Sequence, residues 1–271
     1  PGAQPLREAL CTLGNGYFAT RGAAEEATAG GPHYPATYLA GGFNRLPTDI
    51  HGRIVENEDL VNWPNWLSLK FRHADGDWFD LQQVDILEFQ QSLDIREGIL
   101  TKRVRFRDEF ERESTLASRR VVCMHDPHLA SIEWTLTPEN WSGWITIRSA
   151  LDGTVTNAGV DRYRALNSHH LQVLEFSQFD HECIDLLVRT SQSRLVVAQA
   201  ARTQVFQDHV PAAPERRTRQ FTGYIAQDLD VNCRQGHAVR VEKTVSLYSS
   251  RDRAIAEPRH EARRAILRAG S

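Results

Sequence analysis

The sequence predicts a mainly β protein built from antiparallel sheets, as a sandwich or a barrel. Three observations carry this. Apolar residues recur at every second position in segment after segment, turn-forming dipeptides separate those segments, and helical composition is confined to the C-terminal end. Period-2 alternation marks strands with one face buried and the other wet, which is the signature of antiparallel sheets.

Taken in order, Leu67, Leu69 and Phe71 alternate with Ser68, Lys70 and Arg72. Asp75-Gly76 follows, then Trp78-Phe79-Asp80-Leu81, which predicts a hairpin because Gly accepts a positive φ without steric cost. Val104 and Phe106 alternate with Arg103, Arg105 and Arg107, and Ile132, Trp134 and Leu136 with Glu133, Thr135 and Thr137. Ile145 and Ile147 form the next strand, and Ile184, Leu186 and Val188 another. Val239, Val241, Val245 and Leu247 share a face, with Arg240, Glu242, Thr244 and Ser246 opposite. Asp126-Pro127, Pro138-Glu139-Asn140, Ser142-Gly143, Asp152-Gly153 and Gln235-Gly236 read as turns. The Pro- and Arg-rich stretch from Val210 to Arg219 reads as a loop with a solvated basic face. Asp252 to Leu267 is rich in Ala, Arg and Glu but contains Pro258, so a short helical turn, a break and a helix from about Arg259 are expected.

Composition narrows the function classes. With 271 residues, 41% apolar and 25% charged, the chain is neither disordered nor fibrous. The balance of 32 Lys+Arg against 35 Asp+Glu argues against a nucleic-acid partner, and no apolar run is long enough to span a membrane as a helix. The chain opens at Pro1 rather than Met, so a leader is not testable from it. Cys11, Cys123, Cys183 and Cys233 are scattered without a Cys-x-x-Cys pair, which disfavours structural zinc and suits free thiols in the cytoplasm.

Few constellations carry chemistry. His125-Asp126-Pro127-His128 lies near Cys123 but in a turn with no third ligand, and the adjacent His169 and His170 point to opposite faces of a strand, so no metal is expected. Nucleophile-elbow and phosphate-loop motifs are absent. Glu25, Glu26, Asp59 and Glu88 are among many carboxylates that spacing alone does not pair. Two segments stand out: Leu13-Gly14-Asn15-Gly16-Tyr17-Phe18-Ala19-Thr20-Arg21-Gly22 and Asn62-Trp63-Pro64-Asn65-Trp66. Indole faces and amides suit sugar rings, while Gly in tight turns and Trp in a core explain the same residues without a ligand.

Read together, these segments resemble the N-terminal domain of glycoside hydrolase family 65, the family of maltose, trehalose and kojibiose phosphorylases and related hydrolases. The resemblance rests on Arg7 to Gly22 with Glu25-Glu26, on Tyr34-Pro35-Ala36-Thr37-Tyr38-Leu39-Ala40-Gly41-Gly42-Phe43-Asn44, and on the Asn62–Trp66 segment. It continues through Leu93-Asp94-Ile95-Arg96-Glu97-Gly98-Ile99-Leu100, Arg119-Arg120, Asp126-Pro127-His128-Leu129-Ala130, Ser149 to Asn157 and Val241-Glu242-Lys243. Ala19 and Ala36 stand where many members carry Gly. The resemblance implies a large, galactose-mutarotase-like β super-sandwich over residues 1–250. It implies that 251–271 begins a helical linker to an (α/α)6-barrel that holds the general-acid Glu and binds phosphate. No catalytic residue, metal or cofactor is then expected on this chain, and phosphate, the co-substrate of the parent enzyme, binds outside it. The implied partners are the chain's own C-terminal catalytic domain, a second copy in a homodimer, and a disaccharide. Asn15, Arg21, Asn62, Trp63, Asn65 and Trp66 are the expected domain-interface or pocket-rim residues. Two other readings stay open: a free-standing carbohydrate-binding module, and an aldose-epimerase-like enzyme with a His acid and a Glu base on one concave sheet.

Overall fold

The computed structural model describes residues 3–74, 76–158, 169–253 and 257–269. The chain starts with helix α1 (Gln4–Leu10), which the alternation does not reveal, and three short strands, β1 (Leu13–Gly14), β2 (Phe18–Thr20) and β3 (Thr37–Leu39). A two-stranded ribbon, β4 (Phe43–Ile50) and β5 (Arg53–Leu60), leads to β6 (Leu69–His73). Then come β7 (Asp85–Asp94), β8 (Ile99–Arg107), β9 (Glu113–Val122), β10 (Leu129–Pro138) and β11 (Gly143–Asp152). The second half contains β12 (Leu171–Asp180), β13 (Cys183–Thr190), β14 (Val196–Gln207), β15 (Val210–Ala212), β16 (Glu215–Phe221), β17 (Tyr224–Cys233) and β18 (Val239–Ser249). Helix α2 (Pro258–Arg268) closes the described chain.

Two antiparallel sheets make the sandwich. Among the described residues the larger has nine strands in the order β12-β13-β14-β18-β10-β9-β8-β7, with β15 added to β14; the smaller runs β16-β17-β11-β6. One core fills the space between them. It joins Ile132, Trp134, Leu136 and Val241 of the large sheet to Leu69, Phe71, Ile145, Ile147 and Leu229 of the small one. The faces follow the alternation read from sequence: Val104 and Phe106 are buried while Arg103 is exposed, and Ile184, Leu186 and Val188 all point inward.

Several expectations change. After Gly76 the chain returns along β6 with one bond, Phe79 N–H to Phe71 O (2.8 Å), but residues 77–80 form no strand. Phe79 turns into the core against Phe71 and Phe106, and Asp80 caps a 3-10 turn by accepting from Gln82 N–H (2.9 Å), which ends the pairing. The 210–219 stretch is not a loop. It contains β15 and the edge strand β16, and an edge tolerates Pro211 because one side of its backbone needs no ladder partner. Its arginines are ion-paired: Arg217 with Asp230 (2.6 Å) and Arg219 with Asp228 (3.1 Å). Helix α2 begins at Pro258, one residue from the expected start at about Arg259, with the proline in its first turn; residues 254–256 of the expected helical turn lie outside the described residues. Among the described residues no helix is long and apolar enough to cross a membrane. All four cysteines are free.

Helix α2 lies on the outer face of the large sheet. Ala262, Ala265 and Ile266 pack on Cys183, Ala198, Ala200 and Tyr248, and small residues on the strands let the helix approach closely. Ser246 Oγ donates to Ala262 O (2.8 Å). Asp185, buried on β13, accepts from Arg259 and Arg263 of successive helical turns, at 2.7 and 2.5 Å to the same oxygen.

The inner face of β18 carries one cation. Lys243 is fully buried, and its Nζ donates to Ala150 O (2.7 Å) and Ser68 O (3.1 Å) of the small sheet. Burial brings its pKa down to about 7. The folded value is below the unfolded one, so this lysine weighs fully against folding below pH 7, and the penalty fades as pH rises toward the unfolded value. Comparing wild type with Lys243→Met should show wild type gaining about 1–2 kcal/mol on the variant between pH 7 and 8.5. A pH-independent difference would contradict a desolvated ammonium.

Candidate functional site

The segments singled out in the sequence flank the β1-β2-β3 sheet: the first forms β1 and β2, and the second pairs with β3 through Trp63 and with the end of β11 through Asn65. Asn15 accepts from Tyr17 and Phe18 N–H (3.0 and 3.1 Å) and donates to Cys123 O (2.7 Å) and Pro127 O (3.0 Å). It thereby ties the opening hairpin to the Asp126-Pro127 turn. There His128 stacks on Tyr248 (3.9 Å) and Tyr17 donates to Asp252 (2.7 Å). Arg21 donates to Pro5 O (2.9 Å), lies 3.8 Å from buried Glu8 and covers the Tyr34 ring. Asn62 is buried; it accepts from Thr37 N–H (3.0 Å) and donates toward Pro35 O and Thr156 O. His170 bonds to Asn62 O.

Trp63 and Trp66 are in the core at 0% and 1% exposure, with no hydrogen-bond partner on either indole nitrogen among the described residues. No sugar can stack on them where they lie. The reasoning that an indole is costly to strand underestimated how much ring burial offsets one unpaired N–H. Trp63 instead packs on Gly42, where any Cβ would collide with its Nε1 and with Leu39.

Asn65 opens onto a cleft. Its Oδ1 accepts from Leu67 N–H (3.0 Å), and its backbone pairs with Asp152 in both directions (2.8 and 3.0 Å). The cleft holds about 420 Å³ and is bounded by Asn65, Lys70, Trp78, Arg148, Asp152 and Tyr224. A second cleft of about 520 Å³ shares Thr28, Lys70 and Trp78 and runs along residues 24–33. Lys70 and Arg148 face each other across β6 and β11, outward from the core. Arg148 is fixed by Asp228 (2.6 and 2.8 Å), and the Arg72 and Arg148 guanidiniums lie 5.0 and 4.4 Å from the Trp78 ring centre. Burial lowers the Lys70 ammonium pKa.

Beside the clefts, the 24–26 segment is held by a buried charge cluster. Lys102 Nζ lies 2.9 Å from Glu25 and 2.6 Å from Glu26, Arg120 lies 2.5 Å from Glu25, and Ser118 donates to Glu25 (3.0 Å). Burial would raise the Glu25 carboxyl, but Lys102 and Arg120 outweigh it and hold the group far below the usual carboxylate range. Sequence reasoning named Glu25 and Glu26 but not their partners, and it missed Lys70, Trp78, Arg148 and Tyr224 as a cleft. The only local signal was alternation placing Lys70 and Arg72 on one face; the cross-strand register is non-local.

As for chemistry, five carboxylates are buried among the described residues: Glu8, Glu25, Glu26, Asp185 and Asp228. Each is within ion-pair distance of an internal cation. Among the described residues no group of three or more His, Cys, Asp or Glu is placed to hold a metal.

A family model described as glycosyl hydrolase family 65, N-terminal domain, matches residues 1–271. An uncharacterised glycosyl hydrolase of Mycobacterium tuberculosis is 40% identical over 270 residues, covering 100% of this chain and 20% of that protein. A kojibiose phosphorylase of Caldanaerobacter subterraneus subsp. tengcongensis is 30% identical over 250 residues, 90% of this chain and 31% of its own length. A trehalose 6-phosphate phosphorylase of Lactococcus lactis subsp. lactis is 29% identical over 245 residues, again 90% of this chain and 30% of the relative. A solved structure described as a putative kojibiose phosphorylase from the human microbiome superposes with a TM-score of 0.84 at 17% identity, over 99% of this chain and 34% of the other. The chain spans about a fifth to a third of the length of these relatives.

Proposed function

The chain belongs to the family of glycosyl hydrolase family 65 N-terminal domains, and from that premise we propose that it is the non-catalytic sandwich of an α-glucoside phosphorylase or hydrolase. The observation that carries the reading is the engagement of every buried carboxylate, among the described residues, in an internal ion pair. Inverting glycoside cleavage needs a protonated acid and, in hydrolases, a second carboxylate free to activate water. Carboxylates locked by arginine and lysine serve neither role. In the parent enzyme the bond-breaking Glu and the phosphate site are supplied by a following helical barrel.

In this reading residues 1–250 brace the barrel, and α2, within 251–271, begins the connection to it. Asn15 and Arg21 rigidify the opening segment, and Asn62, Trp63 and Trp66 hold the loop that presents Asn65 at the rim of the cleft. Edge strand β7 leaves Ile86, Leu87 and Phe89 exposed, which suits contact with the barrel or with a second copy in a cytoplasmic homodimer. The test is to produce this chain and the region that follows it in its reading frame as two polypeptides. They should associate, and phosphorolysis or hydrolysis of maltose, trehalose or kojibiose should require both. Full activity and stability of the downstream region without this chain would overturn the bracing role.

A further inference from the structure

We propose that the cleft between Asn65, Lys70 and Asp152 is a secondary binding subsite for a neutral, hydroxyl-rich ligand, a short α-linked glucose oligosaccharide. The proposal rests on the carbohydrate reading above and adds a site to it. Three polar groups in this cleft are only partly used. Lys70 Nζ donates once, to Thr28 Oγ1 (2.5 Å), and among the described residues has no ion-pair partner. Asp152 uses Oδ1 for Thr154 N–H (2.8 Å) and Thr154 Oγ1 (2.6 Å), leaving Oδ2 without a partner among the described residues. Asn65 uses its Oδ1 on Leu67 N–H, and its side-chain NH2 has no partner among them.

One open carboxylate oxygen, an ammonium with spare donors and an amide NH2 form a mixed set. Sugar hydroxyls both donate and accept, so a vicinal diol satisfies such a set. The charges disfavour the alternatives. An anion would approach Asp152 and feel Asp80, which both act on Lys70, and a cation would meet Lys70 and Arg148. Trp78 and Tyr224 supply apolar wall for C–H faces, and about 420 Å³ falls in the usual range for small-ligand pockets.

The test titrates the 271-residue chain with maltose and follows tryptophan fluorescence, which Trp78 reports from the cleft wall. Saturable binding is expected, weakened about five- to tenfold by Lys70→Met and by Asp152→Asn, the loss of roughly one hydrogen bond. Arg217→Met, outside the cleft, should bind as wild type. Asp152→Asn keeps the side-chain shape, so it stands as the deciding variant if Lys70→Met fails to fold. Absence of saturable binding to a folded chain, or tighter binding of inorganic phosphate than of maltose, overturns the subsite. Neither result bears on the two-polypeptide activity test, so the bracing role and the subsite fail separately.

Discussion

Replacing Glu25 with Ala is expected to destabilise the fold by about 3–5 kcal/mol, because it strands buried charge. Glu25 accepts from Arg120, Lys102 and Ser118, and all of these are at most about a twentieth exposed. Two anions and two cations, Glu25 and Glu26 with Lys102 and Arg120, balance in the native cluster; without Glu25 one cation has no counter-charge. The same cluster sets an acid limit. The Glu25 carboxyl is held below its unfolded value, so its contribution is complete above that unfolded value, near 4.5, and is lost as pH falls through the lower folded one. Urea unfolding of wild type and Glu25→Ala at pH 7 and pH 3.5 reads both effects. The gap between them should narrow in acid. A loss under 1 kcal/mol at pH 7 would mean that water reaches the cluster.

Asp185→Ala is expected to release helix α2 and to cost about 3 kcal/mol or more. Burial raises the Asp185 carboxyl, and the hydrogen bonds from Arg259 and Arg263 more than reverse it, holding the group below the usual range. Ser177 donates to the same carboxylate from both its N–H and its hydroxyl (3.0 and 3.1 Å). Removing it leaves two guanidiniums on the helix without their shared acceptor, so the helix keeps its Ala262, Ala265 and Ile266 packing, the Ser246–Ala262 bond and the arginine contacts with Glu175, Ser177 and Phe179. Amide exchange over 258–268 should then approach that of a free segment while β10 and β18 stay protected. Unchanged protection of the helix would show that apolar packing alone holds it.

How much of this was legible in the sequence divides along local and non-local lines. Strand faces were legible, because burial of one side writes itself into every second residue: Val104 and Phe106, or Ile132, Trp134 and Leu136, need no partner to be recognised. Edge and partner relations were not. Pro211 looks like a loop residue until β15 is seen added to β14, and the arginines look merely solvated until Arg217 and Arg219 of edge strand β16 are seen on the aspartates of β17. Lys243 occupies an inward position in an otherwise apolar alternation, and only the approach of Ser68 and Ala150 from the other sheet explains it. Asn15 drew notice for its Gly-flanked setting. Its role as a brace to Cys123 and Pro127 depends on contacts across more than a hundred residues. Trp63 and Trp66 were read as rim residues from their chemistry, and the fold uses them as bulk.

The most direct measurement of the central claim is an assay of this chain alone with maltose, trehalose and kojibiose, in phosphate buffer and in phosphate-free buffer. The account predicts neither glucose nor a glucose phosphate above the level of a boiled control. Sustained release of either by purified 271-residue chain would contradict it and would place an acid and its partner within these sheets.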